Sequence, residues 1–133
     1  MICVVDDELD ITVLFKDALQ SISGITVFTF TDPILALQHF QINESVYVLV
    51  ITDFRMPGLN GMELINKIKH QNPFVRTILM TAFDVDDKMF NEYTKKKIIN
   101  AFIQKPIKMH DLLMEVKTQL HAYETQKSFP SGG

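Results

Sequence analysis

Val46-Tyr47-Val48-Leu49-Val50-Ile51-Thr52-Asp53-Phe54-Arg55-Met56-Pro57-Gly58-Leu59-Asn60-Gly61 is the stretch that decides the fold. A run of apolar and β-branched residues stops abruptly at a carboxylate. A strand that is apolar at nearly every position is buried on both faces, as in a parallel sheet. Asp53 therefore stands at the carboxyl end of a central strand, the rim where open α/β sheets carry ligands and chemistry. A helix N-cap is the plainer explanation of such an Asp. Here Pro57, Gly58, Asn60 and Gly61 separate it from the next helical pattern, and Asn60 or Gly61 lies nearer the capping position.

On either side of this strand the pattern alternates. Residues 1–5 read as a short buried strand that ends at Asp6-Asp7-Glu8. A helix is predicted over 8–21, with Ile11, Leu14, Phe15, Ala18, Leu19 and Ile22 at helical spacing and Ser23-Gly24 as its stop. Residues 25–30 form a second strand, whose two threonines suit a sheet edge. Thr31-Asp32-Pro33 opens a helix over 33–41, with Leu37 and Phe40 inward. After Asp53 come a helix over 62–69 and a strand over 77–80 that runs into Thr81. A further helix is predicted over 86–97, with Val85, Met89 and Tyr93 on one face. A strand over 101–104 ends at Lys105-Pro106, and a last helix spans 109–123 with Leu112, Leu113, Val116, Leu120 and Tyr123 in register. Five strands alternating with five helices imply a doubly wound parallel sheet with helices on both faces. The order 2-1-3-4-5 fits best, because strands one and three are the most apolar. The domain is drawn as residues 1–124, with 125–133 a disordered tail or linker.

Composition narrows the function. A chain of 133 residues fits one domain. Hydrophobic residues make up 47%, charged residues 22%, and the formal net charge is -3. That balance gives no sign of nucleic-acid binding by this segment. Cys3 is the only cysteine and reads as a small core residue in a reducing compartment. No signal peptide and no membrane-spanning run is visible, so a cytoplasmic location is expected. The four histidines, at 39, 70, 110 and 121, show no metal-ligand grouping and are expected at the surface.

The strand ends converge. Strand one delivers Asp6 and Asp7 to the rim, strand three Asp53, strand four Thr81 and strand five Lys105. Singly each has a dull explanation, such as a helix N-terminus for Asp7 or a solvated charge for Lys105. Together they make a cluster. At ~5 Å and an effective dielectric of ~20, each carboxylate pair is repulsive by about 3 kcal/mol before screening. A cation resolves that repulsion, and an all-oxygen site with few protein ligands suits Mg²⁺, which couples to a phosphate. A carboxylate beside Mg²⁺ can act as a nucleophile toward phosphorus, and Lys105 would help neutralise the phosphoryl oxygens.

Val4-Val5-Asp6-Asp7-Glu8, Asp53 followed by Met56-Pro57-Gly58 and Gly61, Thr81-Ala82, and Lys105-Pro106 resemble the receiver domain of two-component response regulators. The resemblance covers residues 1–123 and implies a flavodoxin-like fold. It makes Asp53 the phosphoacceptor. It gives Mg²⁺ (or Mn²⁺) Asp7, Asp53 and the Arg55 backbone carbonyl as direct ligands, with Asp6 acting through water. Lys105 would pair with the phosphoryl group beside a cis peptide to Pro106. Thr81 and Phe102 resemble the switch pair, and Arg55 and Phe83 the positions that tune phosphoryl lifetime. Ile11, Leu14 and Pro106 match positions where a sensor histidine kinase or histidine phosphotransfer domain docks. Downstream, the resemblance implies an effector domain or protein, or a second copy of the chain on phosphorylation. Asn100-Ala101 departs from the usual Gly-Ala before strand five, and Lys95-Lys96-Lys97 is a basic run in a segment slightly longer than usual.

Two other functions compete. A Mg²⁺-dependent aspartyl-phosphate phosphatase would carry a second Asp two residues after the nucleophile, where this chain has Arg55. A flavin-binding domain of the same fold would need a Ser/Thr/Gly-rich phosphate loop after strand one, where Asp6-Asp7-Glu8 would repel a phosphate. A receiver is expected to catalyse only its own phosphorylation and dephosphorylation.

Overall fold

The computed structural model describes residues 1–82, 91–92, 95–96 and 98–128. Its elements are β1 (Ile2–Val5), α1 (Leu9–Leu19), β2 (Val27–Phe30), α2 (Pro33–Ile42), β3 (Leu49–Asp53), α3 (Gly61–Gln71), β4 (Arg76–Thr81), β5 (Ala101–Gln104) and α4 (Met109–Ser128). The five strands form one sheet in the order β2-β1-β3-β4-β5, every neighbouring pair parallel. The two most apolar strands sit inside it, and the threonine-bearing β2 is an edge.

Strand alternation builds two cores. Ile2, Val4, Leu49, Ile51, Ile78 and Met80 project to one side, where Phe15 and Leu19 of α1 and Leu112 and Val116 of α4 cover them. Cys3, Val5 and Val50 project to the other, against Ala36 and Phe40 of α2 and Leu64 and Ile68 of α3. A smaller cluster joins Met62, Ile65, Leu79 and Ile99, with Phe54 and Phe102 packed on it. Cys3 is the core residue its strand predicts, and burial raises its thiol to about 12, a shift that its hydrogen bond with Tyr47 partly opposes.

Local signals set the helix starts. The Asp32 side chain accepts the Ile34 amide at 2.9 Å, with Pro33 at the first turn. Asn60 caps α3 through a capping box with Glu63, so the capping role falls on Asn60 and not on Asp53. Gly58 takes φ +87, a left-handed turn that a side chain would strain. Most of the helix predicted over 86–97 lies outside the described residues; 91, 92 and 95 are helical, and the Lys96 amide donates to the Glu92 carbonyl at 3.1 Å.

Three polar features go beyond the sequence pattern. His39 is not a surface residue. It is half-buried, its ring 4.6 Å from Phe28 and 5.3 Å from Phe30, with Nδ1 2.7 Å from the Tyr47 hydroxyl. The aromatic face of β2 draws it in, a cross-element contact that helix periodicity does not encode. Asn100 joins two elements through its carboxamide, because its Oδ1 accepts from Lys69 Nζ and from the Thr77 amide, both at 2.9 Å. Burial, with Arg76 nearby, lowers the Lys69 amine to about 8. Finally, α4 does not stop near residue 123. It continues to Ser128, through the residues assigned to the start of a tail, and Gln126 Nε2 donates to the Phe74 carbonyl.

Candidate functional site

Sheet register brings the predicted residues together. Val5 stands beside Thr52, so the next residue along each strand places Asp6 next to Asp53. Asp53 stands beside Met80, one residue before Thr81, and Thr81 stands beside Gln104, one residue before Lys105. The Lys105 amide donates to the Thr81 carbonyl at 2.7 Å, tying the last two strand ends. The Lys105–Pro106 peptide is cis.

Lys105 Nζ lies 3.3 Å from Asp6 Oδ2 and 3.3 Å from Asp53 Oδ1. Asp6 is fully buried, and its other oxygen accepts the Glu8 amide at 2.9 Å. Asp53 is 8% exposed, and its Oδ1 also accepts the Phe54 amide at 3.0 Å. Asp7 is exposed. Asp6, Asp7 and Asp53 each offer a carboxylate oxygen within 4.8 Å of the others. These hard oxygen donors on an open rim fit a Mg²⁺-sized cation that keeps some of its waters.

Burial raises the Asp53 carboxyl above its ordinary value. The Lys105 ammonium works against that rise and the Asp6 carboxylate adds to it. Burial by itself would lower the Lys105 ammonium, but Asp6 and Asp53 outweigh it, and the net shift is upward. The pair therefore balances a desolvated anion against a cation shared between two carboxylates.

The remaining predicted residues divide. Thr81 is buried at the rim. Phe102 is partly buried against the cluster of Met62, Ile65, Leu79 and Ile99. Leu14 is 49% exposed and Pro106 is exposed, while Ile11 packs partly into the α1-side core. Leu9 and Val13, which the sequence did not single out, add exposed apolar surface to α1. Arg55 is exposed on the loop after Asp53. Phe83 lies outside the described residues. Two neighbours of Asp53 stand closer to it than the sequence indicated: Thr52, to which it gave no role, and Gly61, which it placed only near the helix cap and in the motif. Thr52 is a fully buried hydroxyl one place before Asp53, and Gly61 sits at the first turn of α3 against the Asp53 main chain. A polar side chain inside an otherwise apolar strand was the available signal for Thr52.

Known proteins resemble this chain in sequence and in fold. The DNA-binding transcriptional regulator NtrC of Escherichia coli K12 is 26% identical over 127 residues, covering 96% of this chain and 26% of NtrC. The regulatory protein VanRB of Enterococcus faecalis is 33% identical over 82 residues, covering 62% of this chain and 36% of VanRB. This chain thus spans about a third or less of the length of such curated relatives. A crystal structure of a receiver domain protein from Clostridium thermocellum matches with a TM-score of 0.81 at 27% identity, covering 93% of this chain and 96% of that one. A CheY-like receiver from Methanospirillum hungatei matches with a TM-score of 0.81 at 25% identity, covering 94% and 96%. The family profile described as the response regulator receiver domain matches residues 2–117, and on that match the chain belongs to the response regulator receiver family.

Proposed function

We propose that this receiver is switched by a phosphoryl group accepted on Asp53, delivered by a histidine kinase or histidine phosphotransfer domain. One observation carries the assignment: Asp53 ends the central strand 3.3 Å from Lys105 Nζ, within reach of Asp6 and Asp7. An oxygen of Asp53 attacks phosphorus, the P–N bond of the donor phosphohistidine breaks, and the released imidazole takes up a proton. Asp7, Asp53 and the Arg55 carbonyl would hold Mg²⁺, with Asp6 reaching it through water; Mn²⁺ satisfies the same donor chemistry. When bound, the metal supplies positive charge to the phosphoryl oxygens. Lys105 supplies the second charge and orients the acceptor. The Thr81 hydroxyl donates to a phosphoryl oxygen once the group is in place, and Phe102 follows it. Large side chains at Arg55 and Phe83 restrict the attacking water and set the lifetime of the acyl phosphate. Leu14, Ile11 and Pro106 form the donor's docking surface. The output passes to an effector domain or protein, or to a second copy, in the cytoplasm. Among the described residues no helix is long and apolar enough to cross a membrane.

The direct test is intact mass after incubation with acetyl phosphate and Mg²⁺. One phosphoryl group is expected on the wild type and none on Asp53→Ala. Equal labelling of the two would refute the assignment.

A further inference from the structure

The side chain that precedes the acceptor and the glycine that opens α3 both press on one peptide group. Thr52 is fully buried, and its hydroxyl donates to the Asp53 main-chain carbonyl at 3.0 Å, with the Met56 sulfur 4.0 Å away. A Cβ on Gly61 would overlap that same carbonyl oxygen and would lie 2.9 Å from both the Asp53 carbonyl carbon and Leu79 Cδ1. The Gly61 amide donates to the next carbonyl, that of Phe54, at 2.7 Å. Between those two carbonyls lies the Phe54 N–H, shared between Asp53 Oδ1 at 3.0 Å and the Met80 carbonyl at 2.9 Å. The orientation of the Asp53–Phe54 peptide therefore decides where a hydrogen bond meets the acceptor carboxylate.

We infer that Thr52 and Gly61 are positioning residues that fix the Asp53–Phe54 peptide, and through it the carboxylate offered to phosphorus and metal. The inference rests on the proposed role of Asp53. Neither residue touches the reacting atoms. A hydroxyl in a dry strand has few partners, so its bond to the Asp53 carbonyl is held firmly. Gly61 lets α3 approach until its first amide reaches the Phe54 carbonyl, a distance that a methyl group would forbid. The same peptide begins the turn that carries the Arg55 carbonyl, so a shift there is felt by the metal as well as by the nucleophile.

The full chain is tested as Thr52→Val, Thr52→Ser and Gly61→Ala. Mg²⁺ affinity is titrated without phosphodonor, and labelling is followed by mass against acetyl phosphate concentration. Thr52→Val, close to isosteric in an apolar strand, is expected to unfold cooperatively and to bind Mg²⁺ several-fold more weakly. Its maximal labelling rate should fall about tenfold or more, as sub-ångström misplacement of a nucleophile allows, with little change in the half-saturating donor concentration. Thr52→Ser should restore both, because it restores the hydroxyl. Gly61→Ala should show the same two defects more severely; if it does not fold, the Thr52 pair decides. Wild-type Mg²⁺ affinity and labelling in Thr52→Val would overturn this inference alone, as would a Thr52→Ser variant as impaired as Thr52→Val. A wild type that labels elsewhere than Asp53 would overturn the proposed function, and this inference with it.

Discussion

Asp53 carries an ionised group in a place that resists charge. Its carboxyl lies above its ordinary value because burial and Asp6 together outweigh Lys105. The native state therefore binds the Asp53 proton more tightly than the unfolded chain does. With more protons on the native side, this group makes stability fall as pH rises through the interval between its ordinary and its raised value. Above that interval the ionised Asp53 destabilises the metal-free fold; below the ordinary value it does not. Asp53→Asn removes the penalty without changing the shape of the side chain. In metal-free buffer near neutral pH it is expected to melt at a higher temperature than the wild type, by a few degrees if the relief is about 1 kcal/mol. The difference should shrink as pH falls through the carboxylate range, and thermal scans across pH measure it. A gain that grows towards acid pH would contradict this account. Thr52 shows how a single residue can be legible and still be passed over. Its identity and place were plain in the sequence, but a buried hydroxyl has meaning only once its acceptor is known, and that acceptor is a main-chain oxygen fixed by the approach of α3.

Helix α4 shows the same limit one level up. The apolar spacing of Leu112, Val116, Leu120 and Tyr123 reveals its buried stripe, and Leu112 and Val116 are fully buried. Its C-terminal extension follows from polar contacts that no periodicity reports. Gln119, 4% exposed, accepts from Arg76 Nε at 2.8 Å, and Gln126 accepts from Arg76 Nη1 at 3.4 Å while donating to the Phe74 carbonyl. Both glutamines clamp α4 to the start of β4, at the end of the sheet opposite the carboxylates. Their weights differ. Gln119→Ala leaves the half-buried Arg76 guanidinium short of an acceptor and should destabilise by about 1–3 kcal/mol. Ending the chain at residue 124 removes Gln126 with both of its hydrogen bonds, and should destabilise by about 0.5–1.5 kcal/mol. Urea unfolding at constant slope would separate the two. A truncated chain as stable as the full one would return the end of the domain to residue 124. Asn100 belongs to this end as well, since its carboxamide joins Lys69 of α3 to Thr77 of β4, which explains why a polar residue precedes β5.

Across the whole molecule, four strand ends meet because the sheet is parallel and its registers are offset by single residues. That convergence was legible from the sequence, since Asp6, Asp53 and Thr81 directly follow or end an apolar run and Lys105 follows the short strand Ala101–Gln104. The main-chain connections that make them one unit were not, because they depend on which strands are neighbours. Two of these connections link the Asp53 rim to the rest of the fold. The Phe54 amide bonds to Met80 of β4, and the Lys105 amide bonds to Thr81 at the end of β4. A phosphoryl group on Asp53 adds a charge of about −1.5 to −2 and three acceptor oxygens. In the proposed function Thr81 is the rim hydroxyl that would donate to one of them, a movement that would draw the end of β4 inward. Phe102 stands beside Leu79 in the Ile99 cluster, so a shift of β4 changes the space around its ring. Where two such arrangements are in equilibrium, a phosphoryl group need only favour one by a few kcal/mol to switch it. Thr81→Ala should still accept phosphate at Asp53, since the attacking carboxylate and Lys105 remain. It should lose most of the response at β5, read as amide chemical-shift changes over residues 98–105 on adding Mg²⁺ and beryllofluoride. Phe102→Ala should keep the response of the Thr81 amide and lose that of Ile99, because it removes the follower and spares the trigger. If Thr81→Ala responds over 98–105 as fully as the wild type, the signal leaves the rim by another route, and the Lys105 main-chain bond to β4 becomes the element to break.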